Sequence, residues 1–232
     1  MAMPAAASSR HFGYSYETTT MPKGALELET GVTWNKGGGS DASFDIRHEL
    51  EYGYSDRLQL ALYFLDWNYD KPSGESGKAR FHDVAAEAIY NLTDPNAAPF
   101  GSALYGEIKG SDDFFELEGK LLLQKNSGSW ICVYNVGGEI VWRGQDQPDQ
   151  AELMESAGIS YQISPSWSLG AELLHELAVP DVETLGRSGV YLGPNVMWRN
   201  HSVAVICAGL WQLTGPADEP DFQLRTILSV DF

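Results

Sequence analysis

Residues 222–232 read Phe-Gln-Leu-Arg-Thr-Ile-Leu-Ser-Val-Asp-Phe. Phe222, Leu224, Thr226, Leu228, Val230 and Phe232 take every second position, with Gln223, Arg225, Ser229 and Asp231 between them. Successive side chains of an extended strand point to opposite faces, so this run carries an apolar row on one side and a polar row on the other.

The same alternation recurs at about residues 24–35, 43–55, 57–68, 80–92, 101–110, 114–125, 130–143, 152–163, 166–177, 188–199, 202–213 and 221–232. Twelve runs are an even number, as an up-and-down barrel with both ends on one side requires. The connections alternate as well. Those after odd-numbered runs are mostly long and polar (35–42, 68–80, 144–151, 178–188 and 214–220), and only the one near 111–113 is short. Those after even-numbered runs are mostly tight (55–56, 93–100, 126–129, 164–165 and 200–201). Long loops on one side and short turns on the other place both chain ends on the short-turn side, the periplasmic one in a membrane barrel. Aromatic residues cluster accordingly. Tyr52, Tyr90, Trp130, Tyr161, Trp167, Trp198 and Phe232 fall at the short-turn ends, and Trp34, Phe44, Phe64, Phe115, Trp142, Trp211 and Phe222 at the long-loop ends. Two such belts match the two membrane–water interfaces.

The first hairpin shows the pattern residue by residue. Symmetric closure of the loop 35–42 sets Trp34 opposite Phe44, Val32 opposite Ile46, Leu28 opposite Leu50 and Leu26 opposite Tyr52. Glu27, Glu29, Asp45, Arg47, Glu49 and Glu51 then share the other face. A soluble hairpin with this partition would need a second sheet over its apolar face.

The chain has 232 residues, a length that suits one all-β domain, and 43% hydrophobic residues. It contains no apolar run near the ~18 residues of a membrane helix, and β-barrels escape such a test because each strand contributes only about ten alternating residues. A net charge of -17 argues against nucleic acid or anionic lipid bound through bulk charge. Cys132 and Cys207 form no metal or haem motif and fall on strands expected far apart. The Ala-rich start, residues 1–10, lacks the basic region and apolar core of a complete secretory signal and reads as a cleavage-site remnant or a cloning scar on a mature, exported chain.

The ending Leu228-Ser229-Val230-Asp231-Phe232 resembles the closing strand and assembly signal of Gram-negative outer-membrane β-barrels, and the stretch through Leu28 resembles the start of small porin or putative-transporter types. The resemblance covers residues 24–232 and implies an all-β, twelve-stranded antiparallel transmembrane β-barrel in the bacterial outer membrane. Residues 1–23 would form a segment at or inside the periplasmic mouth. Leu228, Val230 and Phe232 would address the assembly machinery, and the surroundings would be outer-membrane lipid and lipopolysaccharide. A monomer is expected. The resemblance assigns no functional residue.

Alternation places Glu27, Glu29, Asp45, Glu49, Glu51, Glu87, Glu107, Glu116, Glu118, Glu139 and Glu172 on the inner face, with Arg47, Lys109, Lys120, Arg143 and Arg225 among them. Acids outnumber bases about two to one. In a water-filled lumen such a wall concentrates cations and repels anions, giving passive diffusion of small cationic or neutral solutes. In a lumen closed by salt bridges, or by residues 11–21, the same residues would stiffen a non-conducting barrel that docks a partner. The third possibility is a lipid-active enzyme. Thr30 and His48 share the lipid face, but the strand-three neighbours of His48 there are Leu62 and Phe64, with no acid or amide to orient the imidazole. His175 also faces lipid, whereas nearby Ser156 and Ser160 face inward. No catalytic residue is therefore assigned. Asp66-Trp67-Asn68-Tyr69-Asp70 imitates the start of an outer calcium loop, but Lys71 replaces the turn glycine and Gly77 the closing glutamate. Acidic loops at 145–152 and 218–221 suit divalent ions shared with lipopolysaccharide phosphates. No Glu-with-His cluster at metal-ligand spacing and no cofactor motif is present, and neither metal nor cofactor is expected.

Overall fold

Antiparallel pairing carried around a full circle leaves no strand edge, and this chain closes that circle. The computed structural model describes residues 10–37, 40–72, 74–144, 148–180, 182, 185–215 and 219–232. Thirteen strands follow in order: β1 (Leu26–Gly37), β2 (Ser40–Ser55), β3 (Leu58–Pro72), β4 (Lys78–Phe81), β5 (Val84–Thr93), β6 (Gly101–Gly110), β7 (Phe115–Ser127), β8 (Trp130–Trp142), β9 (Gln150–Ser164), β10 (Trp167–Pro180), β11 (Ser188–Arg199), β12 (Val203–Thr214) and β13 (Pro220–Asp231). Neighbours in sequence pair except β4 with β5, and β13 pairs with both β12 and β1 to seal the ring. β4 and β5 both pair with β3 and form one barrel strand broken at His82 and Asp83, so the barrel has twelve strands. It is an all-β, twelve-stranded antiparallel transmembrane barrel.

The register of the first hairpin is the symmetric one: Trp34 opposite Phe44, Val32 opposite Ile46, Leu28 opposite Leu50 and Leu26 opposite Tyr52. The last strand is locked at both edges, and Phe232 N–H donates to the Leu26 carbonyl at 3.0 Å. The tight turns follow local chemistry. Ser55 Oγ accepts from the Leu58 N–H at 3.1 Å, and Gly128, at φ +60°, lets β7 reverse into β8.

The outer wall is apolar. Leu60, Leu104, Ile108, Leu121, Leu153 and Leu169 point away from the lumen and are exposed, which water would not tolerate over a whole surface but lipid requires. Aromatic pairs mark both rims: Trp130–Tyr161 and Trp167–Trp198 at the short-turn end, Phe115–Trp142 and Trp211–Phe222 at the other.

Three local expectations need correction. The strand expected at 80–92 is interrupted at His82 and Asp83. The stretch 66–70 is not an outer loop but part of β3, so its acidic residues alternate between faces as strand residues do. Most strands also run farther at the long-loop end, as β9 and β10 do. Inward positions are not uniformly polar: Met197, Ile206 and Ile227 form a small buried cluster. Of the acidic loops, residues 145–147 and 218 lie outside the described residues.

Candidate functional site

A twelve-stranded barrel is too wide for its own inward side chains to fill, and here the remaining space is taken by the chain itself. Residues 10–23 run along the inside wall before turning into β1 at Gly24, which sits at φ +86°. Phe12, Ser15 and Thr18 are fully buried. This strap has no strand partner for its backbone, so side chains of the wall satisfy it instead.

Glu172 of β10 accepts from three consecutive backbone N–H groups, those of Gly13 at 2.7 Å, Tyr14 at 2.8 Å and Ser15 at 3.0 Å. Asn195 of β11 donates to the same carboxylate at 2.8 Å and to the His11 carbonyl at 3.3 Å. Farther along, the Thr18 N–H donates to Gln124 of β7 at 2.8 Å, Asn91 of β5 donates to the Thr18 carbonyl at 2.5 Å, and the Met21 N–H donates to Gln59 of β3 at 3.0 Å. One amide or carboxylate from each of several strands thus lines up at the height of the strap. Packing agrees: a Cβ at Gly158 of β9 would lie 2.6 Å from Phe12 ring carbons, so glycine leaves the socket for that ring.

The basic side chains Arg47, Lys109 and Lys120 are each paired with acids of the wall. Arg47 contacts Asp66 at 2.8 Å and Glu107 at 3.2 Å, and lies 4.0 Å over the Tyr63 ring. Lys109 meets Glu116 at 2.7 Å, and Lys120 meets Glu118 at 2.5 Å. Tyr63 donates to Glu87 and Tyr105 to Glu107, each at 2.7 Å. Arg225 donates to Thr33 at 3.0 Å and to the strap carbonyl of Gly13 at 3.2 Å. Around Glu29 the balance differs. Glu27, Glu29 and Glu49 are buried, Glu51 is half-buried beside them, and Arg10 of the strap reaches Glu29 at 3.2 Å.

The acidic residues expected on the inner wall do not form a single ring. Glu27, Glu29, Glu49 and Glu51 sit under the strap, whereas Asp45 and Arg225 line a cavity of about 310 Å³ on its other side together with Glu152, Glu176 and Glu219. Glu118 and Glu139 line a second cavity there, of about 210 Å³. Glu87, Glu107 and Glu116 are buried in the pairs described above or beside them, and Glu172 holds the strap. Leu228 and Phe232 are exposed outward on the closing strand, with Val230 half-buried on that face.

Sequence reading missed the strap's anchors, Gln59, Asn91, Gln124, Asn135 and Asn195. The available signal was an inward amide recurring on strand after strand, each able to donate and accept at once. Cation-binding geometry was also hidden. Among the described residues, Asp66, His82 and Asp83 bring ligand atoms within 4.8 Å of one another, as do Glu29, Glu49 and Glu51. No linear spacing shows the first group, because Asp66 stands on β3 and the other two at the break before β5. On the lipid face, Thr30 and His48 are hydrogen-bonded at 2.9 Å, and the His48 ring stacks on Phe64.

Fold and lumen together define a closed, twelve-stranded transmembrane β-barrel with an internal strap. The backbone matches the COG4313 outer membrane channel from Pseudomonas putida F1 with a TM-score of 0.70, at 13% identity over 93% of this chain and 98% of that one. It matches the NanC porin with a TM-score of 0.59, at 10% identity over 90% and 99% of the two chains, and the KdgM porin with a TM-score of 0.58, at 7% identity over 89% and 99%. No curated protein matches the sequence. The chain belongs to the Family of unknown function (DUF6662), whose profile matches residues 4–230.

Proposed function

We propose that this barrel is a bacterial outer-membrane channel that passes small cationic or neutral solutes and that its own N-terminal strap holds closed in the state described. The observation that carries this reading is the way the strap is fixed: by side chains of the wall rather than by a backbone ladder. Such contacts can be exchanged for water without unfolding a strand. The acidic surround of Glu27, Glu29, Glu49 and Glu51, with Arg10 delivered by the strap, supports cation preference, since removing the strap would expose these carboxylates to solvent. The three structural neighbours are an outer membrane channel and two porins, which supports a conducting barrel. In this reading the protein is a monomer surrounded by lipid and lipopolysaccharide, and Leu228, Val230 and Phe232 engage the assembly machinery.

The filled lumen equally favours a second reading, a non-conducting barrel that docks a partner. Planar-bilayer recording separates the two. The full chain should show rare or small openings, and a variant lacking residues 10–22, shown to be folded by its heat-dependent migration on a detergent gel, should conduct steadily. Silence from both would establish the second reading in place of the first.

A further inference from the structure

On the outer wall, away from the lumen, four polar side chains from four adjacent strands form one chain. Tyr134 of β8 donates to Glu155 Oε1; Glu155 Oε2 of β9 lies 3.0 Å from His175 Nδ1 of β10; and His175 Nε2 lies 2.9 Å from Ser188 Oγ of β11. These residues sit at outward positions: Ser188 is exposed, and the His175 and Glu155 side chains keep 29% and 44% of their surface. Exposed Leu153 and Leu192 share that face, with half-buried Leu173 and Leu177 on either side of His175. A carboxylate among lipid-facing leucines is costly unless it is paired and held.

We propose that Ser188, His175 and Glu155 form a serine acyl-transfer site on the lipid face, acting on the acyl ester of a membrane lipid. The atoms are ordered as such a site requires. A carboxylate at Nδ1 keeps the proton on that nitrogen, so the Nε2 lone pair faces the serine hydroxyl, and the Tyr134 hydroxyl fixes the carboxylate in turn. Ser188 Oγ attacks the ester carbonyl carbon and its proton passes to Nε2. The C–O bond to the lipid alcohol breaks, and that alcohol leaves with the proton from His175. Water then attacks the acyl-serine, His175 takes its proton, and fatty acid departs as Ser188 regains its hydrogen. Ser188 opens β11 and His175 lies five residues before Pro180, the end of β10, which places the site toward the outer leaflet. Sequence reading assigned no catalytic residue because the serine lies across a long loop from the histidine and the glutamate on a third strand.

The folded full-length protein in detergent micelles should be labelled by a fluorophosphonate probe, losing fluoride as Ser188 Oγ bonds to phosphorus. S188A and H175A should lose labelling, and both should lower fatty-acid release by about 10²-fold or more. E155Q should retain Ser188 yet react more slowly, with an altered pH profile. Parallel assays with phosphatidylethanolamine and with lipid A show which lipid supplies the ester; release from either supports the site. Heat-dependent gel migration establishes that each variant is folded. A folded wild-type protein that neither labels nor releases fatty acid overturns the proposal, as does release unchanged by S188A, leaving these residues as a polar network on the barrel wall.

Discussion

Asn135 and Tyr16 hold each other by two hydrogen bonds. The Tyr16 N–H donates to Asn135 Oδ1 at 2.7 Å, and Asn135 Nδ2 donates to the Tyr16 carbonyl at 3.0 Å. A side-chain amide here stands in for the backbone of a neighbouring strand. Replacing it by leucine removes the partners of both half-buried Tyr16 groups, which costs up to roughly 1–3 kcal/mol per group. N135L should therefore weaken strap docking while leaving the barrel intact. Amide exchange along residues 11–21 should speed up in the variant and stay unchanged in β1–β13; equal protection in both proteins would show that this pair contributes little.

Gly158 tests the strap through shape rather than hydrogen bonding. A side chain there enters the space of the Phe12 ring, so G158V should expel residues 11–13 although no charge and no polar partner changes. The expected readouts are new protease sensitivity in residues 10–23 and increased conductance. An unchanged cleavage pattern would mean that the ring finds another seat.

His82 and Asp83 introduce pH dependence. His82 lies between β4 and β5, outside the strands, and its hydrogen bond to Asp83 at 2.5 Å raises the imidazole above its ordinary range, with burial opposing it more weakly. A raised folded-state value means that the protonated form is favoured in the folded protein. The resulting stabilisation is complete below about pH 6.5, the ordinary histidine value, and is lost as pH climbs through the raised one. Urea unfolding of wild type and H82N should differ at pH 5.5 and converge at pH 8.5. A gap that widens with pH would reverse the sign and refute the assignment.

Lipid contact predicts an asymmetry between the two faces. Leu121 is outward and exposed midway along β7, so L121R should cost ~2–4 kcal/mol near mid-depth. E152Q, in the cavity beyond the strap, should change stability by no more than about 0.5 kcal/mol. Unfolding midpoints in lipid vesicles give the comparison, and equal penalties would place the membrane elsewhere.

The barrel was legible because its signal is local. Period-two alternation in β1, β2 and β13 sets face and register strand by strand, and the Trp34–Phe44 to Leu26–Tyr52 pairing follows from hairpin symmetry alone. The strap was not, because its residues alternate with nothing: His11 to Met21 carries no period, and its partners Gln59, Gln124, Asn135 and Glu172 lie between about forty and 160 residues away. His175 was read as lipid-facing, but its pairing with Ser188 was missed for a related reason. Face assignment follows from parity within a strand, but which outward residues touch depends on register across a long loop, and Leu177 opposite Ser188 is fixed only by the fold.

Cation preference is the last expectation and the one that binds strap and wall together. Glu29, Glu49 and Glu51 bring carboxylate oxygens within 4.8 Å of one another, and Arg10 is the strap's counterion to Glu29. With the strap in place these charges are shielded; with it gone they face a narrow aqueous path whose low-dielectric wall concentrates their field. In the variant lacking residues 10–22, reversal potentials in asymmetric potassium chloride should therefore favour potassium. Adding Glu29→Gln, Glu49→Gln and Glu51→Gln to that variant should move the reversal potential toward chloride without changing heat-dependent gel migration. Anion preference in the opened barrel, or selectivity indifferent to the three substitutions, would remove these carboxylates from the conduction path.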